Sequence, residues 1–311
     1  MRVIDIENIC FNMRSETQFV LRCEEVFHDK ISAAAGSILS ARKTQPFVCL
    51  TGPSGSGKTT TAMRLKAYLE NLGVPVILVS MDNFFLDLDA RPQEAKDDWE
   101  SPLCVDTGRL IDCLNTLAAG GVAEMPWYDF TTGKTGGTRP VQGDPGAIIL
   151  AEGIHMLNPL IFQRLRGRAT GVYVAPRTRV ITADDRVVKP EQIRVARRLI
   201  RDHATRGHSL RQTVERAQSV DAGEVQYIAP YKINAAIHID TFHDYELCIL
   251  AKYLRDIPQF AEELTPDFMA DHGLGVLYDV VQTVPPLKTK YVPKDSLIRE
   301  FVGGSSFEYG A

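Results

Sequence analysis

A glycine-rich run between two apolar segments is the feature that most constrains what this sequence can fold into. Residues 52–59, GPSGSGKT, satisfy the pattern G-x-x-x-x-G-K-[ST]. The apolar run PFVCL precedes them, and the helical pattern TAMRLKAYLENLG follows them. In a strand, glycine loop and helix of this order, backbone N–H groups converge on phosphate oxygens at the positive end of the helix. The sequence therefore predicts a phosphate-binding loop.

The chemistry of such a loop assigns expected roles to its residues. The Lys58 ammonium should reach the β- and γ-phosphates of ATP, and the Thr59 hydroxyl should help to hold Mg²⁺. ATP and Mg²⁺ are therefore the expected cofactors. The residues that we expect to contact the nucleotide are Gly52, Pro53, Ser54, Gly55, Ser56, Gly57, Lys58, Thr59 and Thr60.

Further apolar runs alternate with helical patterns along the chain. The runs are VPVILVSM, AIILA, GVYVA and AAIHID, and the helical patterns lie near 106–120, 159–167 and 191–205. Strands that alternate with helices predict an α/β fold of three layers, with a mostly parallel sheet between helices. Ligands then bind at the carboxyl ends of the strands.

The same pattern suggests how the chain is organised. Residues 1–45 are predicted to form a mostly helical N-terminal extension, 46–257 the domain that carries the phosphate loop, and 258–311 a C-terminal extension. Residues 129–146, rich in Gly, Thr and Pro, are predicted to form a surface loop.

Two acidic residues follow apolar strands. Asp82 comes after VPVILVSM, and Glu152 comes after AIILA. In a parallel sheet both carboxylates should project near the γ-phosphate. Phosphoryl transfer requires an acceptor for the proton of the attacking hydroxyl and an anchor for the metal. We therefore expect Asp82 to be the base and Glu152 to bind the metal, the alternative for each being a helix cap or a surface acid.

A basic helical pattern follows later in the chain. Arg194, Arg197, Arg198 and Arg201 share one helical face of the segment EQIRVARRLIRDHATRGHSLR. Guanidinium groups concentrated in this way can neutralise the charge on a transferred phosphoryl group beneath a closing lid. A lid over about 185–220 is the prediction, and a solvated basic face or a nucleic-acid anchor is the alternative.

Composition and the absence of certain motifs argue against several classes of protein. The chain has 44% apolar and 24% charged residues with a net charge of −4, which gives no general attraction to nucleic acid or membranes. No apolar run approaches the roughly 20 residues of a membrane span, and the six cysteines are scattered. A cytoplasmic protein with reduced thiols is expected. Neither an Asn-Lys-x-Asp run nor a Leu-Ser-Gly-Gly run is present, so GTPase and transporter ATPase functions are not expected.

Several stretches together resemble the uridine kinase and phosphoribulokinase family of P-loop kinases, in particular its bacterial uridine kinase-like branch. The resemblance covers about residues 46–255 and the final stretch. The matching stretches are GPSGSGKTT, VSMDNFF, DDWESP, PWYDFTTGKT, LAEGIHMLNP, RRLIRDHATRGHS, GEVQYIAPYK and SLIREFVGG.

The resemblance implies a P-loop NTPase fold and a set of site residues. Asp82 matches the general base, Glu152 the metal-associated acid, Glu100 a contact to the ribose hydroxyls and Tyr128 the nucleoside pocket. The lid arginines of the family match Arg198, Arg201 and Arg206, of which the first also approaches the ribose.

His155 is a further candidate. It lies just after Glu152 and could approach the acceptor or the phosphates, with a packed structural histidine as the alternative.

The resemblance also predicts an activity, although this sequence differs from the family pattern at two places. The expected function is transfer of the γ-phosphoryl of ATP to a small-molecule alcohol, first of all the 5′-OH of a pyrimidine nucleoside. However, Gly133 stands where uridine kinases carry a base-reading histidine, and Asp221 and Ala222 stand where basic residues are expected. A kinase of another sugar, polyol or vitamin-like alcohol is therefore an alternative. A nucleotide-binding regulatory or scaffold protein is another, and assembly as a homo-oligomer stays open.

Overall fold

The computed structural model describes residues 2–96 and 98–309. Its strands, in chain order, are β1 (Val3–Asp5), β2 (Phe47–Thr51), β3 (Val76–Ser80), β4 (Val122–Asp129), β5 (Lys134–Gln142), β6 (Ile148–Glu152), β7 (Ala169–Ala175), β8 (Arg179–Ile181), β9 (Val187–Val188) and β10 (Ile237–Asp240). Its helices are α1 (Ile6–Asn12), α2 (Glu16–Ala41), α3 (Lys58–Asn71), α4 (Thr107–Ala118), α5 (Pro159–Phe162), α6 (Pro190–Arg206), α7 (Leu210–Gly223), α8 (Glu246–Asp256), α9 (Phe260–Glu263), α10 (Pro266–Asp271), α11 (Gly275–Thr283) and α12 (Arg299–Val302).

The central sheet has five strands in the order β10-β7-β2-β6-β3, and every pairing within it is parallel. This confirms the predicted parallel sheet. The strand β2 lies in the middle, so the loop that follows it emerges at the centre of the carboxyl edge. Because β6 and β3 lie next to it on one side, the residues that end these two strands flank the loop.

Helices cover both faces of this sheet. Side chains alternate along β2, so Val48 and Leu50 enter one hydrophobic cluster while Phe47 and Cys49 enter another. The first cluster includes side chains of α2, α3, α6, α8 and α11, and the second includes side chains of α4 and α5. The layers are therefore helices, sheet and helices, as predicted.

The prediction of a surface loop over 129–146 is wrong. Strands β4 and β5 pair antiparallel as a hairpin, and Gly133 forms its turn at φ 68°. Ala123, Met125 and Tyr128 of β4 are buried in the second cluster. Cross-strand hydrogen bonds and this one buried face stabilise the hairpin, and the glycine-rich composition of β5 gave no sign of them.

The two ends of the chain pack on the same face of the sheet. Phe27 and Ile31 of α2 belong to the same buried cluster as Leu277 of α11 and Phe301 of α12. The helix α2 matches the helical pattern predicted for the N-terminal extension. Within the described residues, no helix combines the length and apolar character that crossing a bilayer requires.

Candidate active site

The loop between β2 and α3 has a backbone that requires glycine at specific positions. Gly55 and Gly57 adopt φ values of 76° and 85°, in the left-handed region that favours glycine. At Gly52 an added Cβ atom would lie 2.0 Å from the carbonyl oxygen of Val174. The Lys58 Nζ donates a long hydrogen bond of 3.4 Å to the Pro53 carbonyl. The lysine therefore folds back over the loop, where a phosphate would lie.

The two predicted acids flank this loop at neighbouring strand ends. Ser80 and Glu152 are paired residues on β3 and β6, and the Ser80 hydroxyl donates to Glu152 Oε1 at 2.9 Å. Burial and, second, the negative charge of Asp82 raise the pKa of Glu152 to about 7, against the opposing effect of Lys58. Asp82 is exposed in the turn Met81–Phe84 after β3. The structure thus brings Asp82, Glu152 and Lys58 into one electrostatic cluster.

Glu100 lies in the same cluster, although it is distant in sequence. Burial raises its pKa to about 7, while Lys58 and Arg198 lower it and Asp82 raises it. Its Oε2 atom is buried and has no hydrogen-bond partner among the described residues. Gly223 at the end of α7 packs against it, because an added Cβ there would lie 2.4 Å from Glu100 Cβ. A buried carboxyl oxygen without a partner is able to bind a ligand hydroxyl.

An aromatic cluster borders this region. Tyr128 is buried, with ring centroids 5.7 Å from Phe85 and 5.0 Å from Phe130. Trp99 and Phe130 remain 41% and 55% exposed, so they are the aromatic faces that a planar ligand can reach.

Arg91 holds two of these aromatic residues in place. Its Nη2 donates to the Tyr128 hydroxyl at 3.1 Å, and its guanidinium lies 3.8 Å from the Trp99 ring centroid. Sequence reasoning missed Arg91, which is buried and belongs to no motif. Trp127, next to Tyr128, instead packs on Gly136 of the hairpin.

His155 is enclosed in the protein interior. It is 1% exposed, and neither ring nitrogen has a hydrogen-bond partner in the described part of the chain. Burial lowers its pKa to about 3, so the imidazole is neutral near pH 7. The ring meets the edge of Tyr227 at a centroid distance of 6.4 Å. It can offer a neutral donor or acceptor to a ligand, but it supplies no positive charge to a phosphate.

The basic helix α6 lies directly on the phosphate loop. Arg194 and Arg198 donate to the Ser54 carbonyl at 3.3 and 3.5 Å, and Arg197 donates to the Gly55 carbonyl at 3.1 Å. Arg197 also forms a fully buried two-bond pair with Glu246, at 3.1 and 2.8 Å. Arg194 pairs with Glu224. Arg194 and Arg197 therefore contact the loop backbone and do not face solvent.

The three predicted lid arginines differ in their surroundings. Arg198 is buried, and its Nη2 has no hydrogen-bond partner among the described residues. Burial and, second, the positive charge of Arg194 lower its pKa to about 10. Arg201 Nε donates to Asp202 at 2.9 Å, and Arg206 approaches the same carboxylate at 3.6 Å from an exposed position. Arg198 is thus close to the loop, whereas Arg201 and Arg206 share one carboxylate, Asp202, which offsets only one of their two positive charges.

The residues present fit ATP and Mg²⁺. The loop supplies N–H groups and Lys58, and the buried Ser56 hydroxyl has no partner in residues 2–96 or 98–309. The described residues contain no cluster of three or more acidic, histidine or cysteine side chains suited to a metal. Mg²⁺ binds through one or two protein oxygens together with phosphates and water. Thr59 and Glu152 are the residues that would hold it.

The central strand, the glycine loop and the acids at neighbouring strand ends define a P-loop phosphotransferase. The family model described as "Phosphoribulokinase / Uridine kinase family" matches residues 47–248. The chain belongs to the phosphoribulokinase and uridine kinase family, and it is an ATP-dependent kinase of a small molecule.

Named relatives agree with this assignment. A uridine kinase of Streptococcus agalactiae serotype III is 31% identical over 202 residues, which cover 64% of this chain and 88% of the relative. A uridine kinase of Limosilactobacillus reuteri is 31% identical over 225 residues, which cover 70% and 94%. A crystal structure from Silicibacter sp. TM1040, described as a candidate fructose transport system kinase, aligns at a TM-score of 0.52 and 21% identity, covering 67% of this chain and 98% of that one. That likeness shows the fold.

Proposed function

We propose that this protein transfers the γ-phosphoryl group of ATP to the 5′-OH of a pyrimidine nucleoside. One observation carries the proposal: Asp82, Glu100, Glu152 and Lys58 form a single charge cluster beside the phosphate loop. The two uridine kinases that are 31% identical support the choice of acceptor.

The side chains of the cluster divide the work of phosphoryl transfer. Asp82 is exposed at the end of β3, where its carboxylate can accept the proton of the incoming hydroxyl as the new P–O bond forms. Lys58 neutralises the β- and γ-phosphates. Thr59 and Glu152 would hold Mg²⁺, which would supply positive charge to the phosphates. Arg198, together with Arg201 and Arg206, is proposed to stabilise the charge on the transferred group.

The acceptor is proposed to bind between Glu100 and the aromatic cluster. Glu100 Oε2, which has no hydrogen-bond partner in the described part of the chain, can pair with ribose hydroxyls. The exposed faces of Trp99 and Phe130 can stack on a planar base. The Tyr128 hydroxyl already accepts a hydrogen bond from Arg91. His155 is neutral, and its ring nitrogens have no hydrogen-bond partner within residues 2–96 and 98–309, so it is proposed to bind the acceptor as well.

A second candidate acceptor follows from Gly133. This residue forms the hairpin turn and has no side chain to read a base edge, and Leu88 Cδ1 would lie 2.3 Å from any added Cβ. A histidine at this position would need a left-handed backbone and a shift of the Leu88 side chain. This favours a kinase for another sugar, polyol or vitamin-like alcohol as the second candidate.

An acceptor panel separates these possibilities. ADP formation from ATP would be measured with uridine, cytidine, purine nucleosides, sugars, polyols and vitamin alcohols, with Lys58→Ala as the matched background. Stimulation by uridine or cytidine is the expected result. Stimulation by another alcohol alone would identify the second candidate. Nucleotide binding without stimulation by any member would contradict both and favour a regulatory or scaffold protein.

A further inference from the structure

A carboxylate from the C-terminal segment occupies the first turn of the P-loop helix. Glu300 Oε2 accepts hydrogen bonds from the backbone N–H of Thr60 at 3.2 Å and from the Thr60 hydroxyl at 2.6 Å. The hydroxyl of Tyr309 lies 3.0 Å from the same Thr60 oxygen. Glu300 and Thr60 are 240 positions apart in sequence, so this contact is a product of the fold.

These donors are the ones that a bound nucleotide requires. The N–H groups of the first helical turn after a glycine loop bind phosphate oxygens, and Thr60 directly follows the Lys58-Thr59 pair. A carboxylate resembles a phosphate in its negative charge and in its accepting oxygens. The same N–H and hydroxyl cannot satisfy both groups at full strength. Glu300 therefore occupies a place that a phosphate would take.

The helix that carries Glu300 is anchored firmly. The Arg299 guanidinium donates to the backbone carbonyls of Thr289, Val292 and Pro293 at 2.9, 2.6 and 3.2 Å. Phe301, the residue that follows Glu300, is buried. An anchored backbone keeps the carboxylate at a high effective concentration near Thr60, while the side chain can still rotate away.

The loop and the C-terminal segment also touch directly. The side chain of Leu297 packs against Gly57, where an added Cβ would lie 2.6 Å from Leu297 Cδ1. Beyond α12 the chain turns through Gly303 and Gly304, at φ values of 81° and 71°, before it reaches Tyr309. The Glu300 and Tyr309 contacts can therefore be released while Leu297 stays in place.

We propose that Glu300 is a tethered competitor for a nucleotide phosphate at Thr60. Nucleotide binding requires the carboxylate to rotate away, and release of Tyr309 accompanies it. The C-terminal segment thus sets part of the affinity for the nucleotide. This inference rests on the proposed function, because it requires that the loop binds a nucleotide.

The test is calorimetric binding of ADP with Mg²⁺ to the full chain. Glu300→Gln keeps the volume and removes the charge, Glu300→Ala removes the group, and Glu308→Gln is the matched control in the same segment. We expect both Glu300 variants to bind ADP about tenfold tighter than the wild type, a factor that corresponds to about 1.4 kcal/mol. The control should bind like the wild type.

Salt separates direct competition from long-range repulsion. In about 1 M NaCl the Debye length is about 3 Å, so a repulsion acting through solvent is screened while a contact competitor persists. Unchanged or weaker ADP binding by the Glu300 variants would overturn the proposal, as would a gain that disappears in high salt. Absence of ADP binding by every form would overturn the assignment of the loop as well. If Glu300→Ala fails to fold, Glu300→Gln carries the test.

Discussion

Glu152 shows how the site places an ionisable group in the interior at the end of a strand. Its carboxyl is buried between β2 and β3 and accepts a hydrogen bond from the Ser80 hydroxyl. Burial favours the protonated form, which is why the pKa rises from 4.5 to about 7. The carboxylate that would bind a metal is therefore only about half formed at pH 7.

The raised pKa of Glu152 makes stability depend on pH. Between pH 4.5 and 7 the folded state keeps a proton that the unfolded chain has released, so the free energy of unfolding falls as pH rises through this window. Glu152→Gln removes this term. The difference in the free energy of unfolding between Glu152→Gln and the wild type should therefore shift by about 1–3 kcal/mol in favour of the variant when the pH rises from 5 to 8. Urea denaturation at the two pH values measures it.

The exposed Glu124→Gln exchange is the control for this experiment, since it removes a carboxylate without burial. The difference in the free energy of unfolding between Glu124→Gln and the wild type should not change with pH. A parallel pH dependence of the wild type and Glu152→Gln would show that Glu152 ionises normally.

Gly133 permits a test of the hairpin turn. Gly133→Ala places a side chain at φ 68° and against Leu88, whereas Gly167→Ala places one at φ 79° with nothing within 4 Å. Left-handed backbone costs about 1–2 kcal/mol for a non-glycine residue, so both variants should be destabilised by that amount. The Leu88 contact should make Gly133→Ala the less stable of the two. Equal free energies of unfolding would show that Leu88 moves aside at no cost.

At the scale of elements, α6 is held to the phosphate loop by buried charge. Arg197 joins three partners, the Gly55 carbonyl, the Thr241 carbonyl at 2.9 Å and the Glu246 carboxylate. A buried ion pair adds little net stability, because desolvation offsets the attraction, but it is costly to break from one side. Its role is to fix where the loop lies relative to α6.

Arg197→Met tests this contact. Glu246 would remain buried without its partner, so we expect a loss of about 3–5 kcal/mol in the free energy of unfolding. The double variant Arg197→Met with Glu246→Leu removes both charges and should recover much of that loss. Urea denaturation of the three proteins measures the effect. A single variant as stable as the wild type would show that the pair is not buried in solution.

Some elements were predictable because their signals are local. The strand, glycine loop and helix at 46–73 follow from spacing alone, and the helix predicted over 191–205 is observed as Pro190–Arg206. Asp82 and Glu152 could be placed because they end apolar strands of a parallel sheet. Their proximity needs no knowledge of distant contacts.

Other features were not predictable for a physical reason. The β4–β5 hairpin depends on cross-strand pairing within a segment whose glycines and threonines resemble a loop. The contact between Arg91 and Tyr128 joins residues 37 apart, and the contact between Glu300 and Thr60 joins residues 240 apart. No periodicity encodes which distant groups a fold brings together. The arginine face of α6 was recognised, but burial against the loop, not charge alone, decides what each guanidinium does.

At the scale of the molecule, the terminal segments share a hydrophobic core with the central sheet. Side chains of α2, α11 and α12 lie in the same buried cluster as strands β2 and β6. We therefore expect the three predicted segments, 1–45, 46–257 and 258–311, to unfold together.

Two probes can test this cooperativity because they report on different regions. Of the two tryptophans of the chain, Trp127 lies in β4 and Trp99 lies beside Phe85, whereas far-ultraviolet circular dichroism includes the 26-residue helix α2. We expect coincident urea transitions by fluorescence and circular dichroism, as in a two-state domain. An earlier transition by circular dichroism would show that the terminal segments unfold first.

The direct test of the proposed chemistry is the single-turnover rate of phosphoryl transfer by Asp82→Asn, measured with the best acceptor of the panel and compared with ATP binding by the same variant. The amide cannot take the proton of the hydroxyl but keeps the size of the side chain. We predict that the rate falls by about 10²–10⁴-fold, the usual contribution of a general base, while the affinity for ATP stays near that of the wild type. A variant that transfers phosphate at nearly the wild-type rate would contradict the assignment of Asp82 as the base.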